Sequence, residues 1–203
     1  PGRVLDHIEK GTLNVSKINV VVIDEADEML NMGFIEQVES ILNAISNRQN
    51  TYLFSATFSD EILTLGEKKK KNAAFIELVN KEVAPKIDHY VVHVEDEKKV
   101  DLLQKFLKVE NPDQCIIFCR TKDRVDELHD ILYDLQYSVD ELHGGMDQAT
   151  RLLVMNDFKR GDFRYLVATD VAARGIDVDD ITHVINYQLP DEIETYNHRS
   201  GRT

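Results

Sequence analysis

With 203 residues, 42% of them hydrophobic and 30% charged, the chain has the composition of a soluble globular protein of one to two domains, long enough to bury a core. It holds no apolar run near the roughly 18 residues that a membrane-spanning helix takes and no visible signal peptide, so no membrane association is expected. A net charge of −13 excludes a protein that coats nucleic acid through bulk positive charge, because phosphate binding rests on Lys and Arg, but local basic patches stay open.

Pro1, Gly2 and Arg3 precede a helical pattern over 4–10, which Gly11 closes as a C-cap glycine. The apolar run Val20, Val21, Val22, Ile23 predicts a parallel strand buried on both faces, leading into Asp24, Glu25, Ala26 and Asp27. These acids have two readings. They suit the first turn of the next helix, where negative charge complements the helix dipole. They also suit the mouth of a ligand crevice at a strand's carboxyl end, where one acid can hold Mg²⁺ and the next handle water. Gly33 and Phe34 break this helix, and Val38, Ile41, Leu42 and Ile45 recur at helical spacing in the following one. Residues 51–54 read as a second buried strand, ending in Ser55, Ala56 and Thr57. Ser59 or Asp60 then caps a helix with Ile62, Leu63 and Leu65 on its apolar face. The lysines at 68–71 suit its solvated C-terminal end, 74–79 reads as a further strand, and 80–86, which contains Pro85, as a linker.

A second series follows: strand 89–94, helix 97–109, buried strand 115–119, helix 122–135, strand 138–142, helix 148–158, strands 165–168 and 182–187, and a helix beginning at 191. Alternation of strand and helix in both halves predicts βαβ units and an α/β fold. Cys115 and Cys119, the only cysteines, share one face of their strand and read as buried reduced thiols of a cytosolic protein. His89 and His93 lie on one strand face without a third ligand, and His143 alone reads as structural, so neither defines a metal centre. Residues 1–86 carry 10 basic and 13 acidic side chains and residues 87–203 carry 14 and 24, which makes the second half the more acidic.

Strand ends in both halves bear Asp, Thr, Arg and Gly, the residue types that phosphate chemistry uses: a carboxylate for a metal, a group that orients water, and an arginine for developing charge. Asp24 and Glu25 fit the first two roles, and Arg199 and Arg202 are candidates for the third. Asp24-Glu25-Ala26-Asp27 spells DEAD. Together with PGR at the start, SAT at 55–57, IIFCRT at 116–121, QATR at 148–151, VATDVAARGID at 167–177 and YNHRSGRT at 196–203, it resembles the ordered motifs of DEAD-box RNA helicases along the whole chain.

That resemblance implies two RecA-like parallel-sheet domains: 1–80 the later part of the first, 81–86 the linker, 87–203 the second up to its sixth motif. It implies an ATP-dependent RNA helicase with ATP and Mg²⁺ as cofactors, cytoplasmic, bound to RNA through its backbone with little sequence preference. Protein partners in RNA processing, ribosome assembly or decay are also implied. Asp24 would bind Mg²⁺ through water, and Glu25 would polarise the attacking water. Asp27, Ser55, Thr57, His198 and Arg199 would couple hydrolysis to RNA release. Gly175 and Asp177 would meet the nucleotide, and Arg202 would be the arginine finger. Arg3, Arg120, Gly144, Gln148, Arg151, Thr169 and Arg174 would track RNA. No G-x-x-x-x-G-K-[ST] phosphate loop occurs in the chain, so the missing cradle is expected before Pro1 and negligible ATPase activity from these 203 residues alone. The alternatives are a non-catalytic RNA- or protein-binding module formed by the second domain, or a related DNA-directed helicase or translocase.

Overall fold

The computed structural model describes residues 1–67, 74–77, 87–173, 178 and 181–202. The chain divides into two compact units, Pro1–Lys81 and Glu82–Thr203. In the first, helix α1 (Gly2–Glu9) ends on Gly11, whose φ of +66° is a left-handed conformation that glycine adopts without a Cβ penalty. Strand β1 (Val20–Ile23) pairs in parallel with β2 (Asn50–Leu53), Val20 opposite Asn50 and Ile23 opposite Leu53. Between them lie α2 (Ala26–Asn31) and α3 (Ile35–Ala44), separated at Gly33, φ +73°, whose N–H bonds to Leu30 O. Helix α4 (Asp60–Glu67) follows, with Ser59 Oγ accepting from Ile62 N–H at 3.4 Å.

Ile23, Ala26, Val38, Leu42, Ile62 and Leu65 form the core of this unit, with Val21 and Leu53 packed against it. The expectation of strands covered on both faces fails here. Val20, Val22, Tyr52 and Phe54 are 44–58% exposed, because a period of two sends them to the face opposite α2, α3 and α4. Leu63 is likewise exposed, rotated off the buried face that Ile62 and Leu65 share. Residues 74–77 are exposed and form no strand. The remainder of that expected strand, the lysines at 68–71 and the linker at 81–86 lie outside the described residues.

In the second unit, the predicted strand at 89–94 does not form: Tyr90, Val91 and Val92 are 65–86% exposed, and no neighbouring strand pairs with them among the described residues. A single 3-10 turn (Asp96–Lys98) leads into α5 (Lys99–Glu110), β3 (Cys115–Cys119), α6 (Lys122–Asp134) and β4 (Val139–Leu142). Then come α7 (Gln148–Arg160), β5 (Tyr165–Thr169), the one-turn α8 (Asp170–Ala173), β6 (His183–Asn186) and α9 (Ile193–Ser200). All pairings are parallel, in the order β4-β5-β3-β6.

Strand β3 is buried along its whole length. Ile116 and Phe118 meet Val154 and Phe158 of α7 on one face, while Cys115, Ile117 and Cys119 meet Leu103 and Leu107 of α5 and Val125, Leu128 and Leu132 of α6 on the other. Each such side chain contributes about 1.5–3 kcal/mol by leaving water. The same burial pushes the Cys119 thiol up to about 12 and Cys115 higher still, so both are inert reduced thiols. Thr121 caps α6 by accepting from Arg124 N–H. Asp147 caps α7, its Oδ1 accepting from Ala149 and Thr150 N–H at 2.9 and 3.0 Å. No helix among the described residues is long and apolar enough to cross a membrane.

Candidate functional site

In the first unit the chain leaves β1 through a strained turn. Glu25 is the N-cap of α2 and holds φ 51°, ψ 49°, a left-handed conformation that is costly for a residue with a Cβ. Two bonds impose it: Phe54 N–H donates to Ile23 O at 2.8 Å, and Ala26 N–H donates to Phe54 O at 3.1 Å, so the end of β2 grips both sides of Asp24 and Glu25. Both carboxylates are exposed at the carboxyl end of the strand, and Asp24 Oδ1 accepts Glu25 N–H at 3.0 Å. Their hard oxygens suit Mg²⁺, which binds through one or two carboxylates and keeps several waters.

Asp27 plays a different part. It is buried, 6% exposed, in the first turn of α2, and its carboxylate joins the turn after β2. Thr57 N–H and Thr57 Oγ1–H donate to Asp27 Oδ2 at 2.8 and 3.1 Å, and Glu28 N–H donates to Oδ1 at 3.1 Å. Ser55 Oγ accepts Asp27 N–H at 3.1 Å and donates to Thr57 O at 2.6 Å. Burial drives the Asp27 carboxyl up, but the hydrogen bonds from Thr57 and Glu28 outweigh it and hold the group below its ordinary value. Asp27 thus fits the first-turn helix reading and is at the same time the partner of Ser55 and Thr57. Arg3 stands exposed on α1.

In the second unit the expected contact residues gather at the carboxyl ends of parallel strands. Arg120 follows β3, Gly144 follows β4, and Thr169 ends β5. Gln148 opens α7 on the surface, and one turn later Arg151 is half-buried, its Nε enclosed without a hydrogen-bond partner. His143 folds the loop that carries Gly144: its Nδ1 accepts Gly145 N–H at 3.0 Å, and its carbonyl accepts Met146 N–H. Asp126, Glu141 and His143 bring ligand atoms within 4.8 Å of one another. With Nδ1 an acceptor, however, the neutral ring carries its proton on Nε2, the nitrogen 3.0 Å from Asp126 Oδ1, and that atom has no lone pair for a metal. Arg174, Gly175 and Asp177 lie outside the described residues.

The two arginines of the last helix separate sharply. Arg199 is 2% exposed. Its Nε and Nη2 donate to the two oxygens of Asp170 at 2.5 and 2.7 Å, its Nη1 donates to Asn186 Oδ1 and Gln188 O at 2.7 Å each, and its guanidinium lies over the Phe118 ring. The expectation of an arginine available for phosphate charge is corrected for this residue, whose fork is spent on joining α9 to α8 and to the end of β6. Arg202, half-buried in the turn after α9, keeps its candidacy, and His198 is half-buried on the same helix. Asp170, Asn186 and Gln188 were not anticipated. An acid directly after Thr169 at a strand end was the one available sequence signal.

The two parallel-sheet units thus present, at the carboxyl ends of their strands, an acid pair in one and Arg, Gly and Thr in the other, the residue types that phosphate chemistry uses. The model of the helicase conserved C-terminal domain matches residues 98–203, and that of the DEAD/DEAH box helicases matches residues 1–65. The chain belongs to the DEAD-box helicase family. It is 56% identical over 204 aligned residues to the ATP-dependent RNA helicase DbpA of Bacillus subtilis, covering 100% of this chain and 43% of that protein. It is 46% identical to the DEAD-box ATP-dependent RNA helicase CshA of Geobacillus kaustophilus, covering 100% of this chain and 44% of that protein. The structure of S. cerevisiae Dbp5 bound to RNA and ADP BeF3 matches all of this chain and 54% of that one, with 33% identity and a TM-score of 0.86. The chain thus spans less than half the length of the curated relatives it matches.

Proposed function

We propose that this chain is part of an ATP-dependent RNA helicase in which ATP hydrolysis is coupled to RNA binding and local duplex unwinding. Asp24 would hold Mg²⁺, which when bound would supply positive charge against the phosphates. Glu25 orients and polarises the attacking water. Asp27, with Ser55 and Thr57, carries the state of the nucleotide to the RNA-binding surface, with His198 as the further coupling residue. Gly175 and Asp177 meet the nucleotide, and Arg202 supplies the arginine finger. Arg3, Arg120, Gly144, Gln148, Arg151, Thr169 and Arg174 follow the RNA backbone, which explains recognition with little base preference. Such an enzyme works in the cytoplasm beside partners in RNA processing, ribosome assembly or decay.

The observation that carries this reading is the gripped turn at Asp24 and Glu25 beside the Asp27–Ser55–Thr57 hydrogen-bond cluster. There an exposed acid pair lies beside a buried acid tied to a second strand end, which supports the reading. The chain alone contains no phosphate loop, so its own ATP turnover is expected to be negligible. The test is RNA-stimulated phosphate release by the full-length protein, where Glu25→Gln should lower the rate at least about 100-fold. An unchanged rate would remove Glu25 from the mechanism, and RNA-stimulated turnover by the 203-residue chain would show that the cradle is dispensable.

A further inference from the structure

Arg120 would be a poor RNA contact if it were free to wander, because an exposed arginine gives up rotamer entropy on binding. The segment between β6 and α9 prevents this. Gln188 N–H donates to Phe118 O at 3.2 Å, extending the β3–β6 pairing past its last rung. The Gln188 side chain then turns back, and its Oε1 accepts Arg120 N–H at 3.0 Å, satisfying the first backbone donor beyond β3. The carbonyl of the same residue accepts Arg199 Nη1–H at 2.7 Å. Asp191, three residues on, pairs with the Arg120 guanidinium. One residue therefore touches β3 above Arg120, the backbone of Arg120 itself and the buried arginine of α9.

We propose that Gln188 is the positioning residue for Arg120, fixing its backbone against the Arg199–Asp170 pair so that the guanidinium is held ready for an RNA phosphate. The proposal rests on the reading of Arg120 as an RNA-backbone contact. Gln188 acts only through Arg120 and touches no RNA. Asp191 holds the other end of the side chain and yields it to phosphate readily, since an exposed ion pair is worth little. Without the Gln188 acceptor, the Arg120 N–H loses its partner, and the strand end loosens by about the worth of one hydrogen bond. A three- to tenfold loss of RNA affinity is expected, about 0.65–1.4 kcal/mol at about 1.4 kcal/mol per factor of ten, within the worth of one hydrogen bond.

The test is a double-mutant cycle on the full-length protein, read by the fluorescence anisotropy of a labelled single-stranded oligouridine over a salt series. Gln188→Met keeps the length and bulk of the side chain and removes the acceptor, so the fold is retained, as a thermal melt checks. Expected are a three- to tenfold weakening by Gln188→Met, a fall of about 0.7 in the salt slope on Arg120→Gln, and no further effect of Gln188→Met in the Arg120→Gln background. Wild-type affinity in Gln188→Met, with the salt slope still lowered by Arg120→Gln, overturns the positioning role and leaves the RNA reading standing. Equal weakening by Gln188→Met in both backgrounds reduces Gln188 to a structural residue and also overturns it. If Arg120→Gln changes neither affinity nor slope, or if no variant binds the RNA, the RNA reading of Arg120 fails and the positioning role falls with it.

Discussion

Strands β1 and β3 are similar as strings and opposite in surroundings. VVVI and CIIFC are both uninterrupted apolar runs, yet β3 is buried throughout, whereas β1 leaves Val20 and Val22 exposed. The difference lies in the neighbours. Strand β3 sits between β5 and β6 with helices on both faces, and β1 has β2 on one side and helices on one face. Burial of a parallel strand is a property of the layers around it, and an apolar run states only that the strand tolerates such layers.

Mutations that cut each unit at its organising contact would break this comparison most strongly. Arg199→Ala strands Asp170, the acid bonded to its fork, and should destabilise the second unit by about 3–5 kcal/mol in urea denaturation. Arg199→Lys should fail to rescue it, since an ammonium cannot reproduce the planar fork. Next in size, Ile116→Ala in β3 should cost about 2–5 kcal/mol. A smaller loss, about 1.5–3 kcal/mol, is expected for Asp27→Asn, which takes the charged acceptor from Thr57. The Asp27 contribution carries a pH signature. Its folded pKa is depressed, so the stability it supplies is complete above the unfolded value near 3.9 and is lost as pH falls through the lower folded value. The gap between wild type and Asp27→Asn should therefore be constant near neutrality and close in acid. Smallest of all, Val22→Ala should change stability by less than about 0.5 kcal/mol, and a loss comparable to that of Ile116→Ala would show that the outer face of β1 is covered after all.

Much of this architecture was legible in the residues. Gly11 and Gly33 announced helix ends because their positive φ has a local cause, and the helices of the second unit followed from their apolar spacing. What failed was non-local. Residues 89–94 alternate correctly for a strand but have no partner to pair with among the described residues, and the exposed face of β1 and β2 follows from the elements packed beside them. The candidate site shows the same division. Asp24 and Glu25 could be picked out as acids at a strand end, but the grip of Asp27 on Thr57 joins residues thirty apart. Arg199 and Arg202 look equivalent in HRSGRT. Only the placement of Asp170 beside Asn186 and Gln188, brought together from two separate stretches, buries one of them and leaves the other in a turn.

The left-handed backbone at Glu25 sets stability against activity at a single position. A glycine there would relieve about 1 kcal/mol or more of conformational strain, so Glu25→Gly should melt higher than the native chain while lacking the carboxylate proposed to orient water. The main chain aims this side chain before any rotamer is chosen. A screen for thermal stability alone would therefore favour losing it.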